Sequence, residues 1–92
     1  MRIDFLLVSE ETELHIWSRH RVTPREAEEA CFGWPYTRRG RENGLYEVAG
    51  RTEAGRYLIV VVRYHGKGVA AAITVRDMSE RERRWYRRTR LH

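Results

Sequence analysis

Cysteine, lysine, aspartate and long apolar runs are all scarce in this sequence, and each scarcity closes off a class of protein. The single cysteine, Cys31, allows no internal disulfide and supplies no thiolate cluster. It falls within an apolar helical stripe, so its expected place is the core, as a plain thiol. The cytoplasm is the compartment this cysteine usage suggests. Two aspartates, Asp4 and Asp77, supply a two-metal nuclease poorly. His15 and His20 stand five apart, which spoils the i, i+4 geometry of a helical metal pair. No metal or other cofactor is expected. The longest apolar run, Tyr57 to Val62, is strand-length, far short of the roughly 18 residues that read as a membrane span. Met1-Arg2-Ile3-Asp4 carries an acid two residues past its only base, with no small-residue cleavage site, so no secretory leader is expected. Walker loops and G-x-S-x-G elbows are absent too.

What the sequence does have is arginine. The net charge is +5, and of 18 basic residues 17 are Arg, Lys67 being the exception. Coding bias alone can favour arginine. Each guanidinium nevertheless offers five donors in a fixed fork that grips phosphate bidentately, and a plane that stacks on bases. Nucleic acid and acidic proteins are the partners such a surface suits. Ninety-two residues, 41% of them hydrophobic and 34% charged, fit one domain spanning residues 1–92 around one core.

Hydrophobic periodicity gives the element order. Residues 2–8 read as a strand with Ile3, Phe5 and Leu7 on one face. A helix follows over about 10–20, with Leu14, Ile16 and Trp17 as its apolar positions. Thr23-Pro24-Arg25-Glu26 is the clearest helix start: Thr23 caps, Pro24 takes the first position and Glu26 closes a capping box. Val22 and Ala27 fall at the staple positions. This second helix runs to about Phe32, and Gly33 ends it. Residues 33–44, with Gly33, Pro35, Gly40, Asn43, Gly44 and three Arg, read as a loop. Strands follow at Leu45–Thr52, Arg56–Tyr64 and Val69–Arg76, joined by short turns that make them antiparallel. Tyr57 to Val62 does not alternate, so that strand is expected to be central and covered on both faces. Ser79-Glu80-Arg81-Glu82 is a second capping box and opens a last helix to about Arg90. The sum is an α+β domain: a small antiparallel sheet of about four strands, two N-terminal helices and a C-terminal helix, in the order β-α-α-β-β-β-α.

Three segments carry a likeness to a known family. Arg19-His20-Arg21-Val22-Thr23-Pro24-Arg25-Glu26-Ala27 resembles the Lys-His-Gly-Val-Ser/Thr-x-x-Glu-Ala block of the BrnT toxins. Gly50-Arg51-Thr52 with Gly55-Arg56-Tyr57-Leu58-Ile59-Val60-Val61 resembles their central hairpin. Ile73-Thr74-Val75-Arg76-Asp77-Met78-Ser79, through Glu82-Arg83 and Tyr86, resembles their closing signature. The resemblance implies a RelE-like fold and a bacterial type II toxin that cleaves RNA without a metal. It also implies neutralisation by a small antitoxin with a ribbon-helix-helix-like part, DNA being bound only through that complex. The sequence departs from the family at two places. Arg21 stands where a Gly follows the helix-1 His, and the Trp-Asp-x-x-Lys start is replaced by Val8-Ser9-Glu10-Glu11-Thr12. A non-catalytic or diverged module of the same fold, binding RNA or a partner protein, is the alternative reading.

Cutting RNA without a metal needs a base for the 2′-hydroxyl, an acid for the leaving oxygen and positive charge at the phosphate. His20, Glu82 and Tyr86 are the candidate proton-transfer groups, and Arg51, Arg76 and Arg63 the candidate phosphate holders. Each has a structural reading beside this one. His20 can satisfy carbonyls in the last turn of its helix. Glu82 already serves at N3 of a capping box, and Tyr86 can be core. Arg51 and Arg76 fall at or near the ends of strands flanking the central one, where they can converge or lie free on the surface. Arg81, Arg83, Arg84, Arg87, Arg88 and Arg90 make the last helix basic, with Trp85 and Tyr86 interleaved. Arg83, Arg84, Arg87 and Arg88 are the helix residues expected to meet nucleic acid, in a salt-dependent way.

Overall fold

A run of apolar residues that does not alternate needs cover on both faces, and that requirement organises the molecule. The computed structural model describes residues 1–90, the last of them by its backbone only. In chain order the elements are β1 (Phe5–Leu7), α1 (Glu10–His20), α2 (Pro24–Phe32), β2 (Tyr36–Arg39), β3 (Leu45–Arg51), β4 (Tyr57–Gly66), β5 (Val69–Asp77) and α3 (Glu80–Arg90). They form one five-stranded sheet, ordered β1-β5-β4-β3-β2, with β4 in the middle. Leu58, Val60 and Val62 point to one face and are buried with Ile16, Val22, Ala27, Ala30 and Cys31 of the α1–α2 layer. Ile59 points to the other face, where Ala49, Met78 and Tyr86 close a second, smaller core beneath α3.

The caps form as the sequence indicates. The Thr23 hydroxyl accepts from the Glu26 amide at 3.2 Å, and a Glu26 carboxylate oxygen accepts from the Thr23 amide at 3.0 Å. Ser79 and Glu82 repeat the exchange at the start of α3, at 3.1 and 2.9 Å. α1 ends on Arg21, whose φ of 54° lies in the left-handed region while its amide reaches the Ile16 and Trp17 carbonyls. The turn that a glycine would make easily is thus kept by an arginine. Burial pushes the Cys31 thiol up to about 12, as expected of an inert core cysteine.

Four details differ from the expectation. Residues 33–44 hold a strand, β2, so the sheet has five strands rather than about four. Tyr-Thr-Arg-Arg carries no apolar alternation. What makes it a strand is cross-strand: Tyr36 opposes Ala49, and Arg38 opposes Glu47 and donates to it at 2.7 Å. One pair is parallel, because β1 meets β5 only after the rest of the chain has intervened. In β1 the phase is shifted. Ile3 is buried but precedes the strand, so Phe5 and Leu7 are exposed while Leu6 packs inward. In α1 only Ile16 is buried. Leu14 is 71% exposed and Trp17 is exposed as well, because the helix rests on β5 through a narrow seam.

Candidate active site

The chain turns from β3 into β4 across Thr52–Arg56, which makes Arg51 and Tyr57 register partners at one end of the sheet. The Arg51 guanidinium lies 5.3 Å from the Tyr57 ring centroid, and Arg87, arriving from α3, lies 5.2 Å from it. Arg87 Nε also reaches the Tyr57 hydroxyl, at a long 3.4 Å. That contact, with the charges of Arg51, Arg87 and Arg83, holds the phenol below its ordinary range against the opposing effect of burial. Arg83 and Arg87 are four apart and so share one flank of α3. None of the ion pairs among the described residues involves Arg51, Arg83 or Arg87. Arg51 and Arg87 therefore flank one phenol without a carboxylate in ion-pair range among the described residues, and the Arg83 charge reaches both this phenol and the Asp77 carboxyl.

Arg76 is placed differently. Its two terminal nitrogens donate to both oxygens of Glu82, at 2.6 and 2.9 Å. Arg38 donates to the same carboxylate and to Glu47, and its guanidinium lies 5.0 Å from the Trp85 ring centroid. The Arg76 bonds first of all, then the Ser79 amide and Arg38, bring the Glu82 carboxyl down to about 2. A carboxylate held so firmly is a poor proton acceptor; here it ties α3 to β5 and β2. Because its pKa is lowered, this stabilisation is complete above the ordinary carboxylate range and is lost as pH falls through about 2. Glu82→Gln is expected to cost about 2 kcal/mol at pH 7, with the gap to the unmodified protein closing towards pH 2. Denaturant titrations at the two pH values test this.

The remaining candidates separate by position. Tyr86 is buried, packs edge-on against Tyr36 and Tyr57 at 6.1 and 6.0 Å, and its hydroxyl donates to the Trp34 carbonyl at 3.2 Å. It underlies the cluster instead of facing solvent. His20 ends α1, and its carbonyl accepts from Arg56 at 2.6 Å. Its charge, together with that of Arg83, is felt by the Asp77 carboxyl, which is held low chiefly by its hydrogen bond from Arg56. His20 thus belongs to the same end of the sheet. Arg63 does not: it opposes Leu45, six residues along β4 from Tyr57, or about 20 Å. Arg84 pairs with Glu80, four residues before it, and Arg88 is exposed further along α3.

Two residues with roles here carry little local signal. Arg56 joins three elements, donating to the His20 and Arg21 carbonyls and to both oxygens of Asp77, with Glu26 3.7 Å away. Tyr57 reads as the first apolar residue of a central strand, but hairpin counting alone makes it the partner of Arg51. No group of three or more His, Cys, Asp or Glu among the described residues is arranged to hold a metal ion. Among the described residues no helix is long and apolar enough to cross a membrane.

This architecture, two helices on one face of a five-stranded mixed sheet and one on the other, defines a small α+β fold. One solved structure it is similar to is that of the Brucella abortus ribonuclease toxin, BrnT. The two superpose with a TM-score of 0.65 over 87% of this chain and 99% of that one, at 13% sequence identity, so the likeness is one of fold. No family model matches the sequence. No curated protein is significantly similar to it.

Proposed function

We propose that this protein is a toxin-type endoribonuclease that cleaves RNA without a metal ion. The observation that carries this reading is the set of unpaired forks, Arg51, Arg83 and Arg87, around the Tyr57 phenol, on a fold shared with a ribonuclease toxin. In this reading the forks hold the scissile phosphate and stabilise the charge that grows on it. The ribose 2′-oxygen attacks phosphorus and its proton passes to the Tyr57 oxygen in its phenolate form, the form that the surrounding arginines favour. The bond from phosphorus to the 5′-oxygen breaks, and His20, the other proton-transfer group at this end, protonates the leaving oxygen. A 2′,3′-cyclic phosphate and a 5′-hydroxyl result. Arg76, Glu82 and Tyr86 act as supports that fix α3 against the sheet. Arg88 and Arg84 extend the phosphate-binding surface along α3.

The partner in this reading is an antitoxin with a ribbon-helix-helix-type DNA-binding part, and DNA is engaged only through that complex in the cytoplasm. Phe5, Leu7 and Ile73, all exposed, give such a partner apolar surface. Incubating RNA with the purified protein in excess chelator tests the activity. Products ending in cyclic phosphate are expected. Cleavage that needs added metal overturns the mechanism, and salt-sensitive retention of RNA without products supports a non-catalytic binding module instead.

A further inference from the structure

Trp34 carries two costs at once. Its side chain is 78% exposed, and its φ of 54° lies in the left-handed region, which bulky residues rarely enter. Pro35 follows it, and a residue before proline is driven towards extended backbone, so the conformation is disfavoured twice over. The surroundings enforce it. α2 ends at Gly33, whose amide donates to the Glu29 carbonyl at 2.9 Å, and the Trp34 carbonyl accepts from buried Tyr86. The Trp34 backbone is thereby held in place while most of the residue faces solvent.

Its position says what for. Trp34 lies two residues before β2 begins at Tyr36, and Arg51 ends the neighbouring strand two residues past Ala49, the register partner of Tyr36. The closeness of the two segments shows at Gly33, where an added Cβ would stand 3.4 Å from the Arg51 carbonyl oxygen. Tyr57 is the register partner of Arg51, so the Trp34 backbone lies at the same end of the sheet as Arg51 and Tyr57. The same Tyr86 that bonds to the Trp34 backbone packs against the Tyr57 ring. An aromatic plane beside free guanidinium forks is the pairing with which proteins bind single-stranded nucleic acid, bases on the plane and phosphates on the forks. We propose that Trp34 is a stacking platform for the unpaired base of the nucleotide next to the phosphate held at Arg51. The proposal rests on the ribonuclease reading for its ligand and extends it to a base-binding subsite.

Binding separates this subsite from the cleavage chemistry. The probes are a short single-stranded 2′-O-methyl oligoribonucleotide, which cannot be cut through its 2′-oxygen, and an abasic sugar-phosphate chain of equal length. The unmodified protein is expected to prefer the base-bearing chain. Trp34→Ala is expected to weaken that chain about ten-fold and leave the abasic chain unchanged, and Trp34→Phe to restore most of the loss. Equal affinity of Trp34→Ala and the unmodified protein for the base-bearing chain overturns the proposal. So does an equal loss on both chains, or binding of neither by the unmodified protein. A positive result stands even if the chelator assay shows no cleavage, so the two readings fail separately.

Discussion

Replacing Arg51 by alanine is expected to slow RNA cleavage by roughly two to three orders of magnitude, the usual consequence of removing one charged donor from a developing oxyanion. Stability should change little. Arg51 makes no ion pair among the described residues, and its stacking on Tyr57 is worth about 0.5–1 kcal/mol at an exposed site. Arg76→Ala is expected to behave in the opposite way. It removes the bidentate partner of Glu82, so the folded state weakens by about 2 kcal/mol, and activity falls only as far as α3 loosens. Single-turnover cleavage of a labelled oligoribonucleotide, set beside urea unfolding of both variants, reads the two effects. A Arg51→Ala protein that cleaves at the original rate sinks the site as drawn here.

The largest loss of stability is expected at Gly50, next to Arg51. A Cβ at this position would lie 1.9 Å from the Ala30 carbonyl oxygen and 2.6 Å from the Ala30 carbonyl carbon. Both are backbone atoms of α2, so no side chain can swing aside. The whole helix must lift, and Ala27, Ala30 and Cys31 with it, all of them buried. Gly50→Ala should therefore cost at least about 3 kcal/mol, the upper range for overpacking and a large part of the margin of a small domain. Gly66→Ala is the control. A Cβ there meets nothing within 4 Å, and only the positive φ of 91° opposes it, for about 1 kcal/mol. Denaturant midpoints of the two variants, at unchanged slope, compare steric cost with conformational cost. If the two are equally mild, the close approach of α2 to β3 is not what Gly50 is for.

Much of the frame was legible because it rests on short-range physics. Thr23-Pro24-Arg25-Glu26 and Ser79-Glu80-Arg81-Glu82 set their helix starts through bonds three residues apart. The unbroken Tyr57–Val62 run could be satisfied only at the centre of a layered sheet, and that is where it lies. β2 was not legible, since its partners Ala49 and Glu47 come about ten residues later and supply what Tyr-Thr-Arg-Arg lacks. The outward turn of Phe5, Leu7, Leu14 and Trp17 was hidden as well, because periodicity marks an apolar face without telling how wide a seam the neighbouring element will cover.

The arginines divide along the same line. That this protein's cationic groups are guanidinium forks, almost without lysine, is determined by the sequence alone, because the count and chemistry of the side chains need no fold. Which forks are available was decided by tertiary structure. Arg76 and Arg51 stand in equivalent settings in sequence, near the ends of strands flanking β4. α3 brings Glu82 and Ser79 to the first and Arg83 and Arg87 to the second. One is neutralised in a network, and the other is left beside a phenol with its charge uncompensated. The reason is that electrostatic pairing falls off over a few ångströms, and such proximities between distant segments exist only once the sheet and its last helix have packed.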